Sequence, residues 1–577
     1  MTISQTFIVP FLFFYLREPT QCLDRLSPFL YVQFIPKRVL IKQFVALLPD
    51  SLPSLYSVFK VAALAVVVFA LSVTAGCQSG AMRPDSSKAE SPLREVRVDA
   101  SRVMGTIRSF QGVNGAPGPL RPGLADLSAA FRDVGVDLVR THDYFGPADI
   151  DAKWSRPDRI ARSIRASGAD AIFPNPAADP DKETSYNFGP TDRIIQAIVA
   201  NSAEVYFRIG RSWSADPDPP ADFDKFARIV NRLAMHYNQG WANGFRLGIR
   251  YWEFWNEPDV EAPSGSWFTE PSWLPQPFWS GKPQQFYLLY EKTARALKAM
   301  DPAIKVGACG TAVAHRAGPY REGFIRYCAK RGVPLDFFSW HHYHDSSLDP
   351  YDMVRIGTEY RRLLDSFGLK SCEIDVTEWN MSLAKGRPGH VDQVSMEAAA
   401  FTAAALIYLQ DSALTRSLYY RGDAGPSGLF DGNGRYRKKA YAFKAVGTML
   451  KSPERLAATG GDTLGFAVLA GKSKDGQVVQ VIISNYEIPP DRRGKNPDPN
   501  PSLLPRQKKI LYRNNRGYAL TVTGLPWGES GFEAKRFRLS YTEDFAMVEE
   551  ASGRGGTFTL ARPLPPPGLE LIVLRQK

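Results

Sequence analysis

Between Phe110 and Asp423, short apolar runs of strand length alternate with longer stretches whose apolar residues recur at helical spacing. The strand-like runs are QGVNGA from Gln111, DLVRTH from Asp137, EVYFRI from Glu204, YWEFWNEP from Tyr251, KVGACG from Lys305, DFFSWHHYH from Asp336, CEIDVTEWN from Cys372 and SLYYRGD from Ser417. Between them, stretches such as TDRIIQAIVANS, FDKFARIVNRLAMHYN and PQQFYLLYEKTARALKAMD gather their apolar residues on one helical face. This alternation predicts an α/β fold of parallel strands joined by crossover helices, and eight such strands close a (β/α)8 TIM barrel. A doubly wound open sheet is the competing fold. The chain lacks a Gly-rich GxGxxG turn after the first strand and a Walker loop, which disfavours nucleotide binding.

After KKAYAFKAVGTMLKS, read as the last barrel helix, the pattern changes. FAVLAG, VVQVIISNY, YALTVTGL, KRFRLSYTE, GTFTLA and ELIVLRQ are short runs separated by Gly, Pro, Asp and Asn turns, the pattern of an antiparallel β-sandwich. DRRGKNPDPNPSLLPRQ is a long loop within it. The run REVRVDAS from Arg94, ahead of the barrel, is expected to add a strand to that sandwich. The expected division is therefore a barrel over 94–452, its first strand joining the sandwich, and a sandwich over 453–577.

The N-terminus carries a different signal. Lys60 precedes VAALAVVVFALSVTAGC, an apolar run of signal-peptide length and short for a membrane span. Thr74-Ala75-Gly76-Cys77 resembles a bacterial lipobox, with Thr where Leu is usual, which implies cleavage before Cys77 and lipidation of that residue. Residues 1–77 are thus read as an extension plus signal segment, and 78–93, rich in Ser, Pro and charge, as a tether. The expected location is the cell envelope, with a lipid anchor as the one membrane contact. A net charge of +12 raises the question of nucleic acid, but the basic residues are scattered and no nucleic-acid motif occurs, so no such partner is expected. The five cysteines are widely spaced, with no zinc-type or disulfide pattern.

Polar and aromatic residues crowd the C-terminal ends of the predicted strands, the face where TIM barrels hold their active sites. Glu257 and Glu378 end the fourth and seventh strands, within Trp255-Asn256-Glu257-Pro258 and Thr377-Glu378-Trp379-Asn380. Cleavage of a glycosidic bond requires one protonated and one ionised carboxyl flanking the anomeric carbon. Burial among aromatic rings suits the first; neighbouring cations and hydrogen-bond donors suit the second. Glu253, four residues before Glu257, lies deeper in the barrel and is read as structural. Asp423 ends the eighth strand near the same face.

Together with WNEP and TEWN, the stretches HDYFGPADI, SYNFGPTDRII, QFYLLYEKTARALKAMDPAIKVG and FIRYCAKRGVPLDFFSWHHYH resemble glycoside hydrolase family 39 along the whole barrel. That family contains β-xylosidases, α-L-iduronidases and exopolysaccharide hydrolases, all retaining. The resemblance implies that Glu257 is the acid/base, Glu378 the nucleophile and Asn256 the donor to the sugar 2-OH. It further suggests that Arg140 and Tyr343 hold the nucleophile, and that His142, His342 and Trp379 contact the sugar. The eighth strand, Tyr419-Tyr420-Arg421-Gly422-Asp423, departs from the family's usual aromatic ending. Neighbouring His341, His342 and His344 raise the question of a metal, but successive strand residues face opposite sides, and the family's chemistry needs neither metal nor cofactor.

The expected partner is an oligo- or polysaccharide. Two other readings compete: a non-catalytic glycan-binding envelope lipoprotein, disfavoured because binding does not require both glutamates, and a retaining barrel glycosidase of endoglucanase or mannanase type. The aromatic loop from Glu261 to Lys282, with Trp267, Trp273, Phe278 and Trp279, would wall either an exo-acting pocket or an endo-acting cleft.

Overall fold

The computed structural model describes residues 93–577 apart from 119–124, 152–167, 213–216, 261–277, 313, 315–316, 346, 382–394, 426, 494–515 and 529. The expected signal segment, Cys77 and most of the tether lie outside the described residues, as do most of the aromatic loop after Glu257 and most of the Pro-rich sandwich loop.

Eight parallel strands form a closed barrel: β2 (Gly112–Asn114), β3 (Leu138–Arg140), β4 (Glu204–Ile209), β5 (Tyr251–Phe254), β6 (Lys305–Thr311), β7 (Phe337–Tyr343), β8 (Glu373–Asn380) and β9 (Arg416–Tyr419), the last pairing back to β2. They coincide with the eight strand-like runs. A helix follows each in turn: α1 (Ser128–Val134), α2 (Gly189–Ala200), α3 (Phe223–Asn238), α4 (Pro283–Met300), α5 (Phe324–Arg331), α6 (Asp352–Ser366), α7 (Met396–Tyr408) and α8 (Lys438–Thr448).

α3 shows how the sequence makes such a helix. Asp222 caps it, its carboxylate accepting the Lys225 backbone N–H at 2.9 Å, and Phe226, Ile229, Val230, Leu233 and Tyr237 form the buried stripe. α7 is different: every residue except Glu397 is buried. A helix that is apolar all round needs cover on both sides, and α7 lies between the barrel and the second sheet.

That sheet has nine strands in the order β15-β14-β17-β12-β11-β10-β1-β13-β16. The N-terminal strand β1 (Arg94–Thr106) runs antiparallel to β10 (Glu454–Thr459) and parallel to β13 (Gly517–Thr523), so the start of the described chain sits inside a sheet otherwise built from its end. The remaining strands are β11 (Phe466–Lys472), β12 (Val478–Asn485), β14 (Gly531–Leu539), β15 (Asp544–Arg554), β16 (Phe558–Pro563) and β17 (Gly568–Gln576). One face closes over Val96, Val98, Val481, Leu520, Val522, Phe532 and Leu574. Residues of the other face, including Leu469, Ile482, Leu539 and Leu571, belong to the barrel's own core cluster. Ser484 Oγ donates to the Ala400 carbonyl on α7 at 2.8 Å, and Tyr486 OH donates to the Leu348 carbonyl at 3.0 Å. Barrel and sandwich therefore share a core. Along their lengths β10 and β15 did not read as strands: β15 is a sheet edge, largely exposed and carrying Asp544, Glu549 and Glu550, so it lacks the alternation that a half-buried strand shows.

Inside the barrel, Leu138, Tyr206, Tyr251, Phe337 and Leu418 make one apolar layer. Side chains alternate along a strand, so the residues two positions further on share the interior. These include Arg140, Arg208, Glu253 and Ser339, all with no measurable exposure. The interior thus changes from aromatic to charged in a single step toward the C-terminal ends of the strands.

Candidate active site

Glu378 reaches the interior through an irregularity. Asp375 faces into the barrel, where it accepts from Tyr206 OH at 2.9 Å, and simple alternation would send Glu378, three residues later, to the opposite face. Both neighbours of β8 shift register here. Val376 opposes Trp340 on β7 while Glu378 opposes the next residue, His341; on the other side, Val376 opposes Ser417 and Trp379 opposes Tyr419. One extra residue on β8 re-aims Glu378 inward. Thr377's displaced carbonyl accepts from Asn114 Nδ2 at 2.9 Å.

Three side chains converge on the Glu378 carboxylate. Arg140 Nη1 donates to Oε1 at 2.8 Å, Tyr343 OH donates to Oε2 at 2.8 Å, and His142 Nε2 lies 3.2 Å from Oε1. Arg140 is wholly buried and spends its other N–H groups on Glu253 at 2.5 Å, Asn114 at 3.1 Å and Asn256 at 2.9 Å. This fork fixes the guanidinium beneath the nucleophile position, and a lysine could not reproduce it. Burial works against the Arg140 charge, but Glu253 and Glu378 more than offset that and hold it protonated.

Glu257 is set differently. It sits at the tight end of β5, where Trp255 (φ 72°) and Glu257 (φ 47°) both occupy the left-handed region, an uncommon conformation for side-chain-bearing residues. Several anchors hold the turn. The Glu257 backbone N–H donates to the Gly310 carbonyl at 2.8 Å, the Trp255 N–H donates to Ile209 at 2.7 Å, and the Trp255 ring N–H donates to Phe278 at 3.0 Å. Among the described residues, the Glu257 carboxyl has one side-chain hydrogen-bond partner, His341 Nδ1, 2.7 Å from Oε1. Gly310 (φ +57°) forms the floor: a Cβ there would lie 3.2 Å from His341 Nε2.

The electrostatics separate the two carboxyls. Burial, with the nearby Asp259 adding to it, pushes the Glu257 carboxyl up to about 8. Burial also raises Glu378, but the Arg140 guanidinium opposes it. Burial, reinforced by Arg140 and Arg208, depresses His142 well below the usual imidazole range, and burial lowers His341 too, so both rings are neutral near pH 7. One oxygen of each glutamate and one ring nitrogen of His341 lie within 4.8 Å of one another.

Of the expected site residues, Glu257, Glu378, Asn256, Arg140, His142 and Tyr343 come together. His342 and Trp379 do not. Tyr343 faces inward, so His341 does as well and His342 points outward, 3.9 Å from Asp352 Oδ2 and stacked edge-on against His344. Trp379, the residue after Glu378, likewise points away from the barrel interior; its ring N–H donates to Ser417 Oγ at 2.6 Å and it packs edge-on against Tyr419, with no exposure. The contacts missed from sequence are His341, Asn114, Asp143 and Tyr420. For His341 the signal was present, two residues before Tyr343 on one strand.

The sequence profile of glycosyl hydrolases family 39 matches residues 171–420. A crystallised glucosidase from Croceicoccus marinus is 32% identical, superposes with a TM-score of 0.73, and is matched over 84% of this chain and 100% of its own length. The chain belongs to glycosyl hydrolase family 39. Within the same similarity, a β-xylosidase from Geobacillus stearothermophilus is 26% identical over 253 residues, 38% of this chain. The match spans 46% of that relative, so the chain covers less than half its length. A monomeric β-xylosidase from Caulobacter crescentus CB15, 16% identical with a TM-score of 0.59 over 84% of this chain and 99% of its own, shares the fold.

Proposed function

We propose that this family 39 chain hydrolyses glycosidic bonds with retention of anomeric configuration, Glu378 acting as nucleophile and Glu257 as acid and then base. The observation that carries this is the close pairing of two carboxyls in unlike surroundings. Oxygens within 4.8 Å of each other accord with the roughly 5–5.5 Å carboxyl separation of retaining sites rather than the about 6.5–9.5 Å of inverting pairs.

In the first step Glu378 attacks the anomeric carbon as the glycosidic bond breaks, and Glu257 gives its proton to the departing oxygen. Neutral His341, holding Nδ1–H on Glu257 Oε1, leaves Oε2 to carry that proton. Arg140, Tyr343 and His142 keep the lone pairs of Glu378 aimed and its charge compensated. Asn256 gives its carbonyl oxygen to Arg140, so the face it offers a sugar is its N–H, the donor suited to a hydroxyl beside the anomeric carbon. Loss of its proton leaves Glu257 ionised beside a covalent glycosyl ester. It then takes a proton from water, which attacks the anomeric carbon and returns Glu378.

The names of the relatives, glucosidase and β-xylosidase, support glucosides and β-xylosides as first substrates. Release from 4-nitrophenyl β-D-xyloside or β-D-glucoside, followed by proton NMR before mutarotation, tests the reading: the first-formed sugar should be β. An α product would overturn it. We also infer that the enzyme is exported and anchored through lipidated Cys77, supported by the apolar run before Thr74-Ala75-Gly76-Cys77. A Cys77→Ser protein should lose lipid labelling and leave the membrane fraction; continued labelling would refute the anchor.

A further inference from the structure

Beside Glu378 the site has a second polar wall. Asp143 follows β3 with φ 59°, is 8% exposed, and faces the nucleophile across His142: the same ring nitrogen of His142 lies 3.2 Å from Glu378 Oε1 and 3.3 Å from Asp143 Oδ1. The other oxygen of Asp143 accepts from Tyr420 OH at 2.9 Å and lies 3.8 Å from Arg421 Nη1. Arg421 is itself forked onto Asp423, with Nε to Oδ1 at 2.8 Å and Nη2 to Oδ2 at 2.7 Å. Asp423 fits against the end of β2 because Gly115 has no side chain; a Cβ there would lie 2.6 Å from the carboxylate. The Gly422 N–H, donating to the Asn114 carbonyl at 2.7 Å, ties this strand end to the residue that also accepts from Arg140.

Two features of this wall bear on substrate choice. A carboxylate oxygen can accept more than one hydrogen bond, so Asp143, held by the Tyr420 phenol and the Arg421 guanidinium, has the chemistry to take ligand hydroxyls as well, and two carboxylate oxygens match two adjacent O–H groups on a pyranose ring. The charge count also matters. Among the described residues around Glu378, the guanidinium groups of Arg140, Arg208 and Arg421 are each engaged by a carboxylate, and Glu253, Glu378, Asp143, Asp149 and Asp423 supply five acidic groups against these three cations. A sugar carboxylate would enter beside acids whose cations are already committed.

We propose that Asp143, positioned by Tyr420 and Arg421, determines specificity by binding two neighbouring hydroxyls of the sugar attacked by Glu378, making this a site for neutral pyranosides and excluding uronides. The proposal rests on the retaining reading above and narrows its substrate class. Asp143 reads the ring remote from the anomeric carbon; the chemistry stays with the two glutamates.

The test compares wild type with Asp143→Asn on 4-nitrophenyl β-D-xyloside, β-D-glucoside and β-D-glucuronide, and on the 3-deoxy and 4-deoxy forms of the better neutral substrate. Wild type should turn over the glucuronide at least 100-fold less efficiently than the glucoside. Asp143→Asn should lower kcat/KM on the intact neutral substrate 30- to 300-fold and raise KM, yet lose less than 3-fold on a deoxy substrate lacking a hydroxyl it binds. Equal losses on intact and deoxy substrates, with an unchanged melting temperature, would overturn the proposal and leave retention untouched, as would a wild type that prefers the glucuronide. Should no glycoside be cleaved with retention, the mechanism fails separately. Calorimetric binding of 1-deoxynojirimycin and its 3- and 4-deoxy forms to both proteins then decides Asp143 by the same pattern of losses.

Discussion

The ends of β5 and β8 present the same side chain to the same cavity, but they treat it in opposite ways. At β8, Glu378 receives Arg140, Tyr343 and His142, and a shifted register aims it. At β5, Glu257 projects from a backbone turn in the left-handed region and meets one neutral imidazole. Desolvation raises both carboxyls, so it cannot assign the roles. What separates them is how many donors and cations each has been given. A carboxyl with several is kept ionised for attack, and one with few keeps its proton until a leaving group takes it.

The sharpest way to break this comparison is to delete each carboxyl. Glu378→Ala should reduce kcat by on the order of 10⁵-fold on every substrate, because no covalent intermediate forms. Glu257→Ala should cost about 10²–10⁴-fold on unactivated substrates and far less in the first step with a 4-nitrophenyl leaving group, which needs little protonation. Equal losses on both kinds of substrate would remove the distinction. Next come the two adjacent histidines. His341→Gln disturbs the acid's orientation and should lower kcat by about 10²-fold, within the range expected of a positioned acid–base partner. His342→Gln faces Asp352 behind the strand and should lower the melting temperature with kcat within about threefold, as expected of a residue that supports packing alone. Reversed outcomes would place the wrong ring in the site.

Tyr343→Phe removes one hydrogen bond to an ionised carboxylate and should cost about 10- to 100-fold in kcat. The acidic limb of the kcat/KM profile should also move upward, because Glu378 loses a donor that favours its charged form. In wild type that limb reports protonation of Glu378, raised above the ordinary glutamate value of 4.5, and the basic limb near pH 8 reports loss of the Glu257 proton. A further effect is on stability rather than rate. A carboxyl whose folded pKa is raised keeps its proton in the native state while the unfolded chain releases it, so its contribution falls as pH rises from about 4.5 to about 8. Glu257→Gln should therefore match wild type at pH 4 and exceed it at pH 8, by about 2–4 kcal/mol in chemical denaturation. A variant no more stable at pH 8 would show that Glu257 is ionised at little cost.

Much of this site was legible because its parts obey simple periods. Eight strand runs separated by amphipathic helices define a barrel, and glutamates at the ends of the fourth and seventh runs fall on its active face. Alternation also contained the correct choice between His341 and His342 once Tyr343 was taken as inward. It gave no warning of the β8 register shift, since an inserted residue leaves no mark in residue type; Glu378 and Asp375 share the interior against strict parity. Arg140 could be anticipated as a partner of Glu378, but its four-way fork depends on Asn114, Glu253 and Asn256 arriving from separate strands. β15 stayed hidden because it is a polar, largely exposed sheet edge, where solvent erases the pattern that burial writes; β10 is short, and of its six residues Leu456 alone is fully buried.

The most direct test of the unlike glutamates is the fate of azide in the Glu257→Ala enzyme. With 4-nitrophenyl β-D-xyloside or β-D-glucoside, that variant should form the glycosyl ester on Glu378 in a burst and then stall, because the base for water is gone. Azide attacks without a base, so turnover should rise with its concentration and proton NMR should show the β-glycosyl azide, the product of two inversions. An α-glycosyl azide, formed by a single displacement, would contradict the assignment of Glu378 as nucleophile, and absence of both burst and rescue would contradict that of Glu257 as acid and base.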